Sequence, residues 1–240
     1  MQKIWLITSK EIQAFFDSLI AYVLLALFLG LSGFFTWVSG SDVFFMGEAS
    51  LSVFFNTAFW TLFFFVPTIT MGSIAEEKAS GNLEMLMTKG VSDWQLVLGK
   101  FLAAWLLVLM ALCLTLPYYF TLTQLGNVDH GAVLGGYLGL MLLSAGYVGF
   151  GIFASSLSEN QIIAILAALF FTFFFQYIFG ALGVFFEGRV WHLLYFLSVE
   201  THFTHFAKGV LDLKSFAYFF TMAFLGIFLA QLTLAGRHVR

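Results

Sequence analysis

Ala75-Glu76-Glu77-Lys78-Ala79-Ser80-Gly81-Asn82-Leu83-Glu84-Met85-Leu86-Met87-Thr88-Lys89-Gly90-Val91-Ser92 is a polar island between two long apolar runs, and its reading decides the fold. A charged insert too short to fold alone, flanked by stretches long enough to cross a bilayer, must lie at one membrane face. Glu76, Glu77 and Lys78 form a charged exit. Ser80-Gly81-Asn82 breaks the helix, because Gly supplies conformations that other residues resist and Ser and Asn can cap. Leu83, Leu86 and Met87 then recur at i, i+3, i+4, with Glu84 in the first turn, where the helix dipole favours an acid. Gly90 ends this short helix, and Ser92 with Gln95 has the spacing of a capping box that starts the next. The pattern predicts a short surface helix with an exposed apolar ridge, suited to meeting a partner.

Composition sets the class. Hydrophobic residues make up 61% of the 240-residue chain and charged residues 10%, against roughly 25% charged in an average soluble protein. Water could not solvate such a surface, so the chain reads as an integral membrane protein in contact with the lipid bilayer. Its few charges offer no basic footprint, which excludes a nucleic-acid partner. The lone Cys113 lies in an apolar run and reads as a small hydrophobe.

Six spans are expected, near 18–41, 52–75, 96–122, 132–156, 160–184 and 215–236. Continuous apolarity marks them as helices, since barrel strands would alternate. The fold class is therefore all-α integral membrane, in one domain. The run 190–199 is too short to cross, and 187–214 reads as interfacial or re-entrant, with its charges interleaved with aromatics as suits the headgroup layer. Within it, Glu200, His202 and His205 are only a weak match to a zinc site, and no metal is expected. The first run starts near residue 18 and is too long for a signal-peptide core, so it reads as the first span.

Lys3, Lys10, Lys78, Lys89, Lys100, Arg237 and Arg240 fall on the side of both termini, against Arg189, Lys208 and Lys214 opposite, which places the termini in the cytoplasm. Residues 1–17 are amphipathic: Ile4, Trp5, Ile12, Phe15 and Phe16 share one arc and Gln2, Lys3, Ser9, Lys10, Gln13 and Asp17 the opposite one, as in a helix lying in the interface. The tight 155–161 connection carries Ser158 and Glu159, with Ser158 and Gln161 again at capping-box spacing.

Inside the spans, Gly135/Gly139, Ala145/Gly149, Gly151/Ser155 and Ala26/Gly30 have the small-residue spacing that lets helices approach closely. Pro67 and Pro117 should kink the second and third spans. No ionisable residue is assigned to the middle of a span, which argues against a proton- or sodium-driven carrier. There is no phosphate-binding G-x-x-x-x-G-K-[ST] loop and no hydrolase motif, so the chain reads as non-catalytic and any nucleotide energy must come from another chain.

The 75–88 stretch resembles the "AEE-+-x-SGTLE-LLLT" loop of ABC-2-type permeases, and matching segments run the length of the chain. Lys10-Glu11-Ile12 and Ile20-Ala21-Tyr22 resemble the family's interface helix and first span, and Pro67-Thr68-Ile69-Thr70-Met71 the end of its second span. The segments 157–162 and 202–212 look most like the gliding-motility-associated permeases of Bacteroidota. Gly72 stands where the family often has Arg, and Asn82 where it usually has Thr.

The resemblance implies a permease subunit in the bacterial inner membrane that docks a separate ABC ATPase through a coupling helix after Gly81. Its interface would comprise Glu76, Glu77, Gly81, Leu83, Glu84, Leu86, Met87 and Lys89, with Ser158 and Glu159 as a second contact. The chain itself would hold no cofactor; ATP and Mg would sit on the ATPase. A second permease subunit, identical or related and in one version bearing a large periplasmic domain, would complete the membrane unit. His202, Phe203, Phe206, Lys208 and Asp212 would line a periplasmic gate. The alternative is a transmission module that performs work on an envelope partner and moves no solute.

Overall fold

A computed structural model of the chain describes residues 2–39, 47, 49–88, 90–183, 185–186 and 188–236. Helix α1 (Gln2–Asp17) precedes the first span, α2 (Leu19–Trp37). The second span, α3 (Ser52–Thr70), leads through a turn at 71–74 into α4 (Ala75–Ala79) and α5 (Asn82–Thr88). The third is α6 (Asp93–Cys113) continued by α7 (Leu116–Leu125), and the fourth is α8 (His130–Leu157). The fifth joins α9 (Gln161–Phe173), a π-helical turn (Phe174–Ile178) and α10 (Phe179–Gly183). Two short helices, α11 (Arg189–Leu197) and α12 (Val199–Ala207), precede the last span, α13 (Leu213–Ala235). The described residues hold no strand, and six helical stretches are long and apolar enough to cross a membrane.

Helix α8 is the axis of the bundle, packed against α3, α6, α9, α12 and α13. Its small residues explain why. A Cβ on Gly149 would lie 2.8 Å from the Ala223 carbonyl of α13, and one on Gly226 would lie 2.6 Å from the Phe150 nitrogen. A Cβ on Gly139 would lie 2.8 Å from Phe206 of α12. Where lipid removes the usual hydrophobic drive, backbone proximity of this kind is what holds helices together. The Ala26/Gly30 pair behaves differently: both residues are exposed, and Gly30 has open space beside it, so this pair packs nothing within the chain.

The prolines also separate. Pro67 sits within α3, which runs on to Thr70. At Pro117 the third span does break, through Leu114 and Thr115. Thr115 donates to the Leu112 carbonyl at 2.7 Å, and the Tyr137 hydroxyl of α8 donates to the Thr115 carbonyl at 3.1 Å, so side chains of the third and fourth spans bond two carbonyls at the break.

The third span starts where the capping-box spacing at Ser92 predicts. The Ser92/Gln95 capping box forms, the helix begins at Asp93, and Lys100 therefore lies two turns inside it. In the fifth span the π-helical turn holds Gln176, 2% exposed, whose side-chain carbonyl accepts from the Tyr147 hydroxyl at 2.9 Å. This buried polar pair was not anticipated from the sequence, where one Gln in a phenylalanine-rich run was its only trace.

Candidate functional site

The 75–92 loop, the start of α6, helix α1 and the 158–160 connection all meet at one end of the bundle. Lys100 is the centre of this end. It is 2% exposed, and its ammonium lies 2.9 Å from Glu11 of α1 and 2.9 Å from Glu77 of α4. A buried cation two turns into a helix is tolerable only if paired, and two carboxylates from two other elements pair it. Thus α1, α4 and α6 share one charge cluster.

Further bonds tie the same elements. Thr8, fully buried, donates to the Gly99 carbonyl at 3.1 Å, where the missing Cβ of Gly99 makes room for Ile7. Lys3 donates to the Gly90 carbonyl at 2.7 Å. Helix α1 therefore docks on the chain's own third span through Ile7, Thr8 and Glu11, while Trp5 and Leu6 are exposed. The two-arc reading of residues 1–17 left this inner face out, because it mixes an apolar, a hydroxyl and an acidic side chain.

The second attachment is to α8. Ser155 donates to the Met71 carbonyl at 2.8 Å and accepts from the backbone of Ile74 at 3.0 Å and Ala75 at 3.1 Å. One hydroxyl thus satisfies the turn that ends the second span and starts α4. Lys78 donates to the Ser156 carbonyl, and Gln161 donates to the Glu76 carboxylate. Sequence spacing had assigned Ser155 only to helix packing.

The loop breaks where expected, with Gly81 at φ +70° and Gly90 at φ +71°. Asn82 is the first helical residue of α5, so it does not occupy the cap position. The exposed apolar ridge requires correction. Leu83 is 3% exposed and Leu86 is half-buried, both packed against the core. The i, i+3 stripe faces the chain's own bundle because that is the nearest apolar surface. The outward face of α5 carries Asn82, Glu84 and Met85, with Met85 51% exposed. Met87 is described in its backbone only, and Lys89 lies outside the described residues. Glu76 is exposed and Glu77 is largely covered by its ion pair.

At the 158–160 connection, the expected Ser158/Gln161 capping box gives way to another arrangement. Asn160 caps α9 by accepting from the Ile162 nitrogen at 2.8 Å, and Ser158 accepts from the Asn160 nitrogen at 3.0 Å. Gln161 is thereby released to reach Glu76. Glu159 is exposed beside it.

At the opposite end, α12 packs against α8. Phe203 stacks on Phe59 with centroids 4.8 Å apart, and Phe206 covers Gly139. Gly139 lies nine residues inside the start of α8, roughly 13 Å along its axis, so α12 reaches well into the bundle. His202 is buried, with Nδ1 2.9 Å from the Ser215 hydroxyl and Nε2 2.8 Å from the Phe196 carbonyl, and its ring stacks on Tyr218. Both nitrogens are engaged, so they join α11, α12 and α13. Lys208 is exposed, and Asp212 caps α13 by accepting from the Lys214 nitrogen at 3.1 Å. Among the described residues no group of three His, Cys, Asp or Glu side chains could hold a metal.

Burial holds the His202 imidazole below the usual 6.5; the Phe196 bond opposes this, His205 adds to it and Asp212 opposes it. A histidine that binds its proton less readily folded than unfolded contributes stability above about 6.5, which is lost as pH falls toward the folded value. Protection from hydrogen exchange across 199–215, corrected for the intrinsic exchange rate at each pH, should therefore fall between pH 7.5 and pH 5, and His202→Gln should remove that dependence. Equal acid sensitivity in the variant would count against His202 as the responsive group.

No curated protein matches this sequence. Residues 46–197, which span the second to fifth membrane helices and the 75–92 loop, match the family described as ABC-2 family transporter protein. With its all-helical six-span fold, the chain belongs to the ABC-2 transporter family, as a multi-pass membrane permease subunit.

Proposed function

We propose that the loop end is the docking site for a separate ABC ATPase subunit, with ATP and Mg bound on that partner. One observation carries this reading. The loop is tied to α1 and α6 through Lys100 and to α8 through Ser155 and Lys78, so a force on α5 reaches every element that meets there. An ordinary solvated loop needs no such anchoring. The gripping surface would be the outward face of α5, with Glu84 and Met85 in its centre and Glu159 at its edge. Leu83 and Leu86 hold that face to the bundle.

Co-purification with a candidate ABC ATPase subunit tests the proposal. Glu84→Lys with Met85→Asp should weaken ATPase binding at least about tenfold, which is about 1.4 kcal/mol, and leave thermal stability unchanged. Undiminished binding would overturn it. Leu83→Asp should instead destabilise the chain, because it buries a carboxylate without a partner.

On this reading the loop end faces the bacterial cytoplasm and two permease subunits, identical or related, form the membrane unit. Segment 187–214 then dips into the outer leaflet and gates the exit through His202, Phe203, Phe206, Lys208 and Asp212. Assignment to a gliding-motility-associated complex rests on the sequence likeness of 157–162 and 202–212, and an adjacent gene for a subunit with a large periplasmic domain would support it. A groove of about 460 Å³ between α2 and α3 exposes Asn56, Thr57 and Thr61 beside Trp60 and Phe64. Polar groups on an outer span face support movement of a solute over transmission of force alone.

A further inference from the structure

We propose that the cleft where α1, α2, α3 and α4 meet at the loop end binds one phospholipid bearing an ethanolamine headgroup. The cleft has a volume of about 740 Å³. Its rim carries Lys10, Glu11, Glu76, Glu77 and Lys100, two cations against three carboxylates, which leaves one net negative charge. Lys100 is already committed to Glu11 and Glu77 at 2.9 Å each. The second oxygen of Glu77 is buried and has no hydrogen-bond partner. A carboxylate oxygen only accepts, so what it lacks is a donor, and a primary ammonium brings three. Exposed Lys10 at the rim offers a cation for the phosphate that accompanies such an ammonium.

The wall below the rim is apolar. It runs down Leu24 and Ile69 to Leu107, which lies seven residues, roughly 10 Å, further along α6 than Lys100. A soluble amine would leave that wall unused; an acyl chain covers it. A choline headgroup has no N–H to give Glu77, and a glycerol headgroup adds a negative charge with no ammonium. Gly72 keeps the cleft open: a Cβ there would lie 2.8 Å from the Glu76 carboxylate, and any longer side chain would enter the cleft. This inference does not depend on the ATPase reading, because headgroup selection is measured on the permease alone.

The test is native mass spectrometry of the purified full chain, delipidated and offered equimolar phosphatidylethanolamine, phosphatidylcholine and phosphatidylglycerol with identical acyl chains. The ethanolamine lipid should be retained about tenfold over the other two. Gly72→Arg, which fills the cleft and supplies its own cation, and Glu76→Gln, which removes one carboxylate from an exposed position, should each reduce that preference while the helical content stays unchanged. Equal retention of the three lipids by the native chain would overturn the proposal, as would a preference undiminished in both variants. Competition by free phosphoethanolamine at concentrations equal to the lipid would overturn the phospholipid assignment, since the apolar wall would then add nothing.

Discussion

Lys100→Met should cost roughly 3–5 kcal/mol of stability, the range for breaking a buried ion pair from one side, because Glu11 and Glu77 would face each other without their shared cation. All three side chains are less than one-fifth exposed, so solvent screening relieves little of this. The measurement is thermal unfolding in detergent, read beside stimulation of the partner ATPase. The informative companion is the triple variant with Glu11→Gln and Glu77→Gln. Removing all the charges removes the repulsion, so stability should largely recover. Coupling to the ATPase should not, because the link between α1, α4 and α6 is gone. Recovery of both would show that the cluster only balances charge; failure of the single variant to destabilise would show that Lys100 is not held as described.

Gly226→Leu should have an effect of comparable size by another route. Even a Cβ at this position would stand 2.6 Å from the Phe150 nitrogen, which is backbone of the facing helix and cannot rotate aside. Helices α8 and α13 must separate, and the small-residue seam along Gly149 and Ala223 is lost with them. Overpacking in a tight core costs roughly 1–3 kcal/mol even for modest insertions, and a leucine against backbone should exceed that. Gly30→Ala is the control: it meets open space and should leave stability unchanged or raise it through helix propensity. Yields of monodisperse protein and unfolding temperature would distinguish the two. Equal tolerance of both substitutions would argue against the α8–α13 seam.

Much of the candidate site was legible in part. The break at Gly81, the stop at Gly90 and the capping box at Ser92 were read correctly because each is a local event, decided by the backbone freedom or side-chain reach of neighbouring residues. The direction of α5 was not. Leu83 and Leu86 share a face by helical period, but period cannot say whether that face meets a partner or the chain's own bundle. Gly135, Gly139 and Gly149 were identified as packing residues, yet Gly30 has the same spacing and packs nothing within the chain. The difference lies in the neighbouring helix and is absent from the motif. Ser158 and Gln161 had capping-box spacing too, and lost that pairing because the helix starts at Gln161 itself, with Asn160 as its cap, and the Gln161 side chain bonds to Glu76.

The sequence by itself determined the class, the six spans and the position of the loop, because hydrophobicity over about 20 residues and a shortage of charge are properties of a segment taken alone. Only the tertiary structure decided that Lys100, Glu11 and Glu77, separated by up to 89 residues, form one buried cluster, and that Ser155 closes the turn before α4. Such contacts join residues whose spacing along the chain carries no period. They exist because the bundle removes water from one particular end, and a charge or amide left there must find whichever partner the packing brings within 3 Å.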